Sequence, residues 1–312
     1  MTQAPRDHGG NLDAAVAQYG GARSDWIDLS TGINPNSYPL PRLSDGLWTA
    51  LPDAAAFDEI CASARQFWNV PDGAAVLPVP GASAAIAQLP RALPGQSVMI
   101  PAPTYNEHQA AFAATGWTVQ ADAPDAQVAV HPNNPDGRMW TAAELTRPVV
   151  VIDESFCDVR PDASHIGRAA RPGTVILKSF GKFWGLAGLR LGFAIGDPSL
   201  IEKLKIALGP WQVSGPALFI GTQALRDFVW ADETRARLAS DSDRLDAMMA
   251  ETKAAPLGGT TLFRLYEVAD AKAAQAHLAQ HHIWSRVFPY AQNWLRLGLP
   301  NAEGFKRLAA AL

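Results

Sequence analysis

The sequence predicts a three-layer α/β fold, in which a mostly parallel sheet carries helices on both faces, together with a small α+β domain. Short, continuous apolar runs alternate with helical patterns between residues 74 and 196. Strands that are buried on both faces of a parallel sheet have this unbroken apolar character. After residue 230, runs with strand character surround one helical pattern, as in a small α+β domain.

The strands of the large sheet are expected at six apolar runs: residues 74–79, 97–101, 127–130, 148–153, 174–178 and 191–196. Pro198 and Gly209 bracket a helix at 199–208, and after Pro216 a longer helix should run through Trp230. The remaining elements are expected to be helices at 232–253 and 271–281 and strands at 260–268, 283–288 and 294–299.

The composition of the chain bears on whether it binds nucleic acid, a membrane or a metal. The chain has 312 residues and a formal net charge of −4, so a sizeable core is possible and a nucleic acid partner is not expected. Its start is polar, and no run approaches the roughly 20 apolar residues that span a bilayer, so we expect a cytoplasmic protein without a membrane segment. Cys61 and Cys157 are too few for a disulfide framework and lack the spacing of metal ligands. His277 and His281 share a helix face, but a solvated helix end explains them without a metal, and none is expected.

The segment from Ser179 to Gly192 is a candidate for covalent chemistry. It places Lys182 after a turn of small residues and Arg190 eight positions later. A lysine amine condenses with an aldehyde only when it is unprotonated, and a forked guanidinium suits a phosphate or carboxylate. The segment therefore predicts an aldehyde-binding lysine beside an anion clamp. The alternative is a glycine-rich connection with two solvated cations.

Two further candidates lie where predicted strands end, which is where ligands bind in parallel sheets. Asp153 closes a hydrophobic strand, either as a functional carboxylate or as a helix N-cap. Gly81, Ala82 and Ser83 follow the first strand and open a helical run, so their amides can point at an anion. The alternative for Ser83 is an ordinary N-cap.

Two arginines stand within the predicted C-terminal strands. Arg296 lies inside an apolar strand, where a charge without a counter-ion is costly, so it is expected to bind an anion. Arg286 has a similar setting, and the sequence leaves open whether it binds a further anionic group or forms a structural salt bridge.

Residues 179–192, SFGKFWGLAGLRLG, resemble the cofactor lysine signature of the class I and II aminotransferases, the pyridoxal-phosphate enzymes of fold type I. The resemblance implies pyridoxal 5′-phosphate as cofactor, Lys182 as the Schiff-base lysine, and Ser179 and Arg190 as phosphate ligands. It also implies a homodimer. The corresponding domains are an N-terminal arm at 1–40 that packs on a small domain at 231–312, and a large cofactor-binding domain at 41–230.

Other elements of the family recur in the expected order. By resemblance, Asp153 in VVVIDESF pairs with the pyridine nitrogen, and Asn134 in HPNNPDG binds the ring oxygen. Tyr105 in PTYNEH corresponds to the aromatic residue that stacks on the ring, and His108 is a candidate for orienting Asp153. The family's tyrosine after the Asp element is Phe156 here, so one contact to the ring oxygen is missing. The same resemblance assigns the cofactor phosphate to Gly81, Ala82 and Ser83, and the substrate α-carboxylate to Arg296.

The N-terminus carries the discriminating resemblance. Residues 8–11, HGGN, and 26–35, WIDLSTGINP, resemble the opening of the L-threonine-O-3-phosphate decarboxylases of cobalamin biosynthesis. Consecutive glycines let backbone N–H groups converge on a phosphate, although a flexible turn is the plainer alternative. The substrate residues implied are His8, Gly9, Gly10, Asn11, Gly32, Arg286 and Arg296.

The activity implied is decarboxylation of L-threonine O-3-phosphate, a phosphorylated amino acid, to (R)-1-amino-2-propanol O-2-phosphate. Two alternatives remain open at this point. One is an aminotransferase of the histidinol-phosphate type, and the other is a binding or regulatory module that keeps the cofactor fold without turnover.

Overall fold

A computed structural model describes residues 8–119 and 122–312. Within them, ten α-helices, α1 to α10 in chain order, span Leu12–Tyr19, Gly46–Thr49, Ala54–Trp68, Ala82–Ala92, Asn106–Ala114, Pro198–Leu208, Gly215–Arg226, Phe228–Glu251, Ala271–Gln280 and Ala302–Ala311. Thirteen strands, β1 to β13, span Ile27–Asp28, Ala75–Val79, Ser97–Met99, Thr118–Val119, Ala126–Val130, Val149–Asp153, Thr174–Ser179, Gly192–Gly196, Ala255–Thr260, Phe263–Glu267, Ile283–Trp284, Arg286–Phe288 and Ala291–Gly298. Of the helices in the described ranges, none combines the length and the apolar character needed to cross a membrane.

The chain divides into two compact units. The sheet unit comprises Ser37–Asn134 and Arg138–Asp232, and the terminal unit comprises residues 8–36, Pro135–Gly137 and Glu233–Leu312. The short segment Pro135–Gly137 belongs to the terminal unit because its backbone packs against β9. Gly259 N donates to Asp136 O over 2.9 Å, and a Cβ on Gly137 would overlap the Gly259 carbonyl.

The sheet unit is built on a seven-stranded sheet in the order β2-β8-β7-β6-β5-β3-β4. All neighbours run parallel except β8, which is antiparallel to both β2 and β7. Every residue of β5, β6 and β8 is buried, which explains why these strands are unbroken apolar runs in the sequence. A core of apolar side chains, mostly aliphatic, from the sheet and from α4, α5 and α6 lies on one face.

The boundary between the two long helices differs from the sequence prediction. We expected one helix through Trp230 and the next from 232, but α7 ends at Arg226 and α8 begins at Phe228. Asp227 causes the break, because its N–H closes α7 on Ala224 O and its Oδ1 accepts the N–H of Trp230 over 3.0 Å. That second contact is an N-cap bond, a signal that the sequence contained.

The terminal unit contains a four-stranded antiparallel sheet, β12-β13-β10-β9, and a parallel pair, β1-β11. The expected strand at 283–288 is divided at Ser285, since Ile283 and Trp284 pair with β1 whereas β12 pairs with β13. The expected strand at 260–268 is the second arm of a hairpin, β10, whose first arm is β9. Leu12, Ala15, Trp26 and Ala279 form a small core between α1 and α9.

Candidate active site

A cavity of about 120 Å³ lies at the carboxyl ends of β5, β6 and β7, within the sheet unit. This is the edge at which parallel sheets bind ligands. The sequence-predicted residues that line it are Ala82, Ser83, Tyr105, Asn134, Asp153, Ser179, Lys182 and Arg190. Gly81, the ninth candidate of this group, is the N-cap of α4 beside it.

Lys182 is carried by a loop that is anchored on both sides. Phe180 N donates to Leu191 O over 3.0 Å, and Ser179 Oγ accepts the N–H of Gly181 over 3.2 Å. Phe180 is fully buried, whereas Lys182 is only partly buried. Its Nζ lies 5.1 Å from the centre of the Phe156 ring, within the range of a cation–π contact.

Asp153 is a buried carboxylate with partners for both oxygens. His108 Nε2 lies 2.8 Å from Oδ2, and Ser155 reaches Oδ1 with its N–H at 3.0 Å and its hydroxyl at 2.5 Å. Burial opposes the charge, but the hydrogen bonds and the charge of His108, together with the Ser155 bonds, outweigh it and hold the pKa of Asp153 below its ordinary value. The cavity is therefore lined by an ionised carboxylate, as a protonated ring nitrogen requires of its partner.

The N-terminus of α4 forms a cradle for an anion. Gly81 has a φ of 80°, and a Cβ there would lie 2.6 Å from Arg190 Nη2, so the guanidinium rests against bare backbone. Arg190 Nη1 is fixed by Ala187 O at 2.9 Å. The amides of Ala82 and Ser83 at the start of an eleven-residue helix and a forked cation on one side fit a phosphate group, whereas the Gly81 amide already donates to Val79 O over 2.7 Å.

Tyr105 and Asn134 complete the described lining. Burial, followed by the charges of Asp153 and Glu107, raises the pKa of Tyr105 to about 12, so the phenol stays neutral. The Tyr105 loop is tied to the Asn134 loop through Asn133, which donates to Pro103 O over 3.0 Å and accepts from Thr104 Oγ1 over 2.6 Å. The sequence analysis did not predict this role of Asn133, although the residue directly precedes Asn134 in the predicted turn.

The predicted substrate residues all belong to the terminal unit, where the arm contacts Ser30. Gly10 N donates to Ser30 Oγ over 2.7 Å, and a Cβ on Gly9 would overlap the Ser30 carbonyl. His8 and Asn11 are exposed, and Asn11 Oδ1 caps α1 by accepting the N–H of Ala14 over 3.3 Å. Its carbonyl oxygen is therefore engaged in the helix cap.

Arg296 is buried in β13, and its Nη2 donates to Ser30 O over 2.6 Å. The same serine therefore contacts both the arm and this arginine. Arg286 of β12 is the direct cross-strand partner of Arg296. Like charges opposite one another repel, so an anion close to both would stabilise the pair. Gly32 is buried two residues beyond Ser30.

A buried ionic network next to the cavity was not predicted. Lys178 Nζ lies 2.6 Å from Glu154 Oε2 and 3.7 Å from Asp158 Oδ1. Burial disfavours the ammonium, but the two carboxylates outweigh it and raise the pKa of Lys178, and the lysine in turn lowers the pKa of Glu154 against the effect of burial. A lysine within an apolar strand was the available signal.

His131, Glu154 and Cys157 also bring possible ligand atoms within 4.8 Å of one another. Protein groups already engage these atoms. His131 binds Trp140 N and Ala163 O, and Glu154 binds Lys178, Ser164 and His165 N. We therefore assign the three side chains to the packed polar core.

Comparison with known proteins gives one family. The model of the family described as aminotransferase class I and II matches residues 24–130 and 122–312. The chain is 40% identical to a threonine-phosphate decarboxylase from Sinorhizobium sp, over 99% of this chain and 98% of that protein. It is 38% identical to a threonine-phosphate decarboxylase from Pseudomonas aeruginosa, over 98% and 97% of the two chains.

A solved structure, the histidinol-phosphate aminotransferase from Sinorhizobium meliloti in complex with pyridoxal-5′-phosphate, has a TM-score of 0.82 with 18% identity, over 97% of this chain and 94% of that one. This likeness confirms the predicted fold class.

Proposed function

Because the chain belongs to the class I and II aminotransferase family, we propose that it binds pyridoxal 5′-phosphate and decarboxylates L-threonine O-3-phosphate to (R)-1-amino-2-propanol O-2-phosphate. The observation that carries this proposal is the 40% identity to a threonine-phosphate decarboxylase over almost the whole of both chains. The arm at residues 8–11, which resembles the same enzymes, supports the same activity.

The cavity in the sheet unit supports the cofactor roles. The cofactor phosphate is assigned to the N-terminus of α4, where Ala82 and Ser83 supply their amides beside the bare backbone of Gly81, to Ser179 and to the Arg190 guanidinium. When bound, the cofactor supplies an electron sink that takes up the electron pair of the bond broken at the substrate α-carbon. Asp153, ionised and buried, holds the proton on the ring nitrogen. Tyr105 is assigned to the ring face and Asn134 to the ring oxygen, while Lys182 Nζ is the covalent anchor.

The substrate has two anionic groups, a carboxylate and a phosphate, and the terminal unit offers cationic and amide donors for both. Arg296, held by Ser30 O, is assigned to the carboxylate, and Arg286 lies directly across the strand from it. The phosphate is assigned to the arm, where the Gly9 N–H and His8 are the proposed donors, while the Gly10 N–H holds the arm on Ser30 Oγ. Two anchors fix the rotation about the bond from nitrogen to the α-carbon, and this rotation decides which bond breaks. Once the substrate amine has displaced it from the cofactor and carbon dioxide has left, Lys182 Nζ is the proposed proton donor to the α-carbon.

The proposal is tested by incubating the purified protein and cofactor with L-threonine O-3-phosphate and measuring carbon dioxide and keto acid. We expect carbon dioxide and the phosphorylated amino alcohol in equal amounts, without keto acid and without a need for 2-oxoglutarate. Lys182→Ala should abolish both products. Turnover of histidinol phosphate that depends on 2-oxoglutarate, with no release of carbon dioxide, would contradict the proposal in favour of an aminotransferase. Cofactor binding without turnover of either substrate would favour a binding module.

We also propose that the protein is a homodimer, which the surface of the sheet unit supports. Two neighbouring grooves, of about 790 and 370 Å³, share Pro52 and Asp53 in their walls. Ile206 and Trp211 line the first groove and remain 72% and 56% exposed. Large apolar side chains exposed together on one face are typical of a protein–protein contact.

A further inference from the structure

The buried carboxylate of Asp158 connects two tryptophans to the ionic network beside the cavity. Its Oδ1 accepts the indole N–H of Trp68 over 2.8 Å, and its Oδ2 accepts that of Trp184 over 3.1 Å. Lys178 Nζ lies 3.7 Å from Oδ1. All four side chains are at least nine-tenths buried. Packing alone does not require this arrangement, because apolar residues of similar volume can replace a buried ion pair with little or no loss of stability.

Trp184 belongs to the loop that carries Lys182. Its ring stacks on Phe180, with centroids 5.1 Å apart and planes 11° from parallel. On another side it stacks on Trp230, at 5.2 Å and 12°. The residues two before and two after Lys182 therefore contact each other and close the loop beneath the lysine. Stacking defines the plane of the ring but favours no direction within that plane, whereas the hydrogen bond from Nε1 to Asp158 Oδ2 is directional.

Asp158 also follows Asp153 by five residues, in a segment in which every residue except Ser155 is buried. Glu154, between them, binds Lys178 Nζ over 2.6 Å, and its N–H donates to Leu177 O over 2.9 Å. The segment is thus fastened to β7, the strand that leads into the Lys182 loop. One short piece of chain holds the carboxylate of Asp153 and, through Trp184, the loop of Lys182.

We propose that Asp158 is a positioning residue, which sets the place of Lys182 relative to Asp153 through its hydrogen bond to Trp184. The inference rests on the proposed role of Lys182 as the cofactor lysine. It assigns Asp158 no contact with cofactor or substrate.

The two tryptophans provide a matched test. Trp184→Phe and Trp68→Phe each remove one indole hydrogen bond to the same carboxylate, but only Trp184 lies in the lysine loop. Each variant is loaded with pyridoxal 5′-phosphate, and three quantities are measured: the pH midpoint of the visible absorption band, the rate of cofactor release to a trapping apo-protein, and the free energy of unfolding in urea. We expect similar losses of stability in both variants, since each loses one buried hydrogen bond.

Only Trp184→Phe is expected to shift the pH midpoint, and to speed cofactor release by about fivefold or more, the effect of one lost hydrogen bond. Asp158→Leu keeps the approximate shape of the side chain, removes both accepting oxygens and should shift the midpoint in the same direction. Equal midpoints and release rates in the two Phe variants would overturn the inference. If Trp184→Phe does not fold, an unshifted midpoint in Asp158→Leu would overturn it equally. A wild-type protein that gives no visible band would instead refute the proposed cofactor.

Discussion

Individual side chains in the candidate site are held in one charge state by neighbours from other strands and helices. Asp153 illustrates this, because burial alone would favour its neutral form. Its two oxygens are instead engaged by His108 from α5 and by Ser155 from its own segment. A carboxylate that is already ionised and fixed in place can accept a hydrogen bond from a protonated pyridine nitrogen without further rearrangement.

The lowered pKa of Asp153 predicts an acid-dependent loss of stability. A carboxyl group whose pKa is lower in the folded state than its unfolded value near 3.8 stabilises the fold above that value. This stability is lost as the pH falls below about 4 and through the folded pKa. We expect the free energy of unfolding of the wild type, measured in urea, to fall more steeply between pH 5 and pH 3 than that of Asp153→Asn. Parallel pH profiles for the two proteins would contradict the assignment.

Gly81 predicts a second effect at the residue scale. Gly81→Ala introduces a Cβ 2.6 Å from Arg190 Nη2 and places alanine at a φ of 80°, so the guanidinium must move away from the helix N-terminus. We expect cofactor affinity, measured by fluorescence titration, to fall at least about tenfold, the size of one or two lost charge-assisted hydrogen bonds. Gly188→Ala is the control, because a Cβ there meets nothing within 4 Å. Equal affinities in the two variants would remove Arg190 from the anion cradle.

The sequence predicts best the strands and helices whose residues share one degree of burial along their whole length. Every residue of β6 and β8 is buried, so the apolar pattern matches the strand. The run at 283–288 also has strand character but serves two sheets, and its pattern gives no sign of the change of partner strand at Ser285. The hydrophobic pattern of a sequence indicates which residues are buried, whereas tertiary contacts decide which strand a segment pairs with.

The same distinction applies to the site. Lys182 and Asp153 could be predicted to lie at one edge of the sheet because each stands at or after the end of a strand that the pattern reveals, and both line the cavity. Asp158 and Trp68 could not be connected, since 90 residues separate the two ends of their hydrogen bond. A hydrogen bond between distant segments leaves no periodic trace in a single sequence.

The break between α7 and α8 gives a prediction for an element. Asp227 caps α8 through the 3.0 Å bond to Trp230 N, and replacing such a residue with alanine costs about 1 kcal/mol. We expect Asp227→Ala to lower the free energy of unfolding by about this amount in urea titrations. Asp227→Asn keeps the accepting oxygen and should lose much less. A full loss in the asparagine variant would indicate that the charge of Asp227, rather than its cap bond, stabilises this junction.

For the whole molecule, the terminal unit draws on both ends of the chain. Ile27 and Asp28 pair with Ile283 and Trp284, and Arg307 donates to Asp25 O over 2.7 Å. Ser30 likewise joins the two ends of the chain, because it accepts hydrogen bonds from Gly10 of the N-terminal arm and from Arg296 of β13. The residues assigned to the substrate are therefore assembled only after the C-terminal strands have been made, while those assigned to the cofactor fold within the sheet unit.

The proposed homodimer predicts a change of mass on substitution of one exposed residue. Trp211 and Tyr290 are both 56% exposed, but only Trp211 lines the large groove of the sheet unit. If two copies associate through that face, Trp211→Ser removes a large apolar contact from each side, because a symmetric interface presents the same patch twice. We expect the wild type and Tyr290→Ser to sediment at twice the 33.4 kDa mass of the chain. The dimer of Trp211→Ser should have a dissociation constant at least about tenfold higher than the dimers of these two proteins. A monomeric wild type would refute the dimer, whereas a Trp211→Ser variant as stable a dimer as the wild type would move the interface to another face.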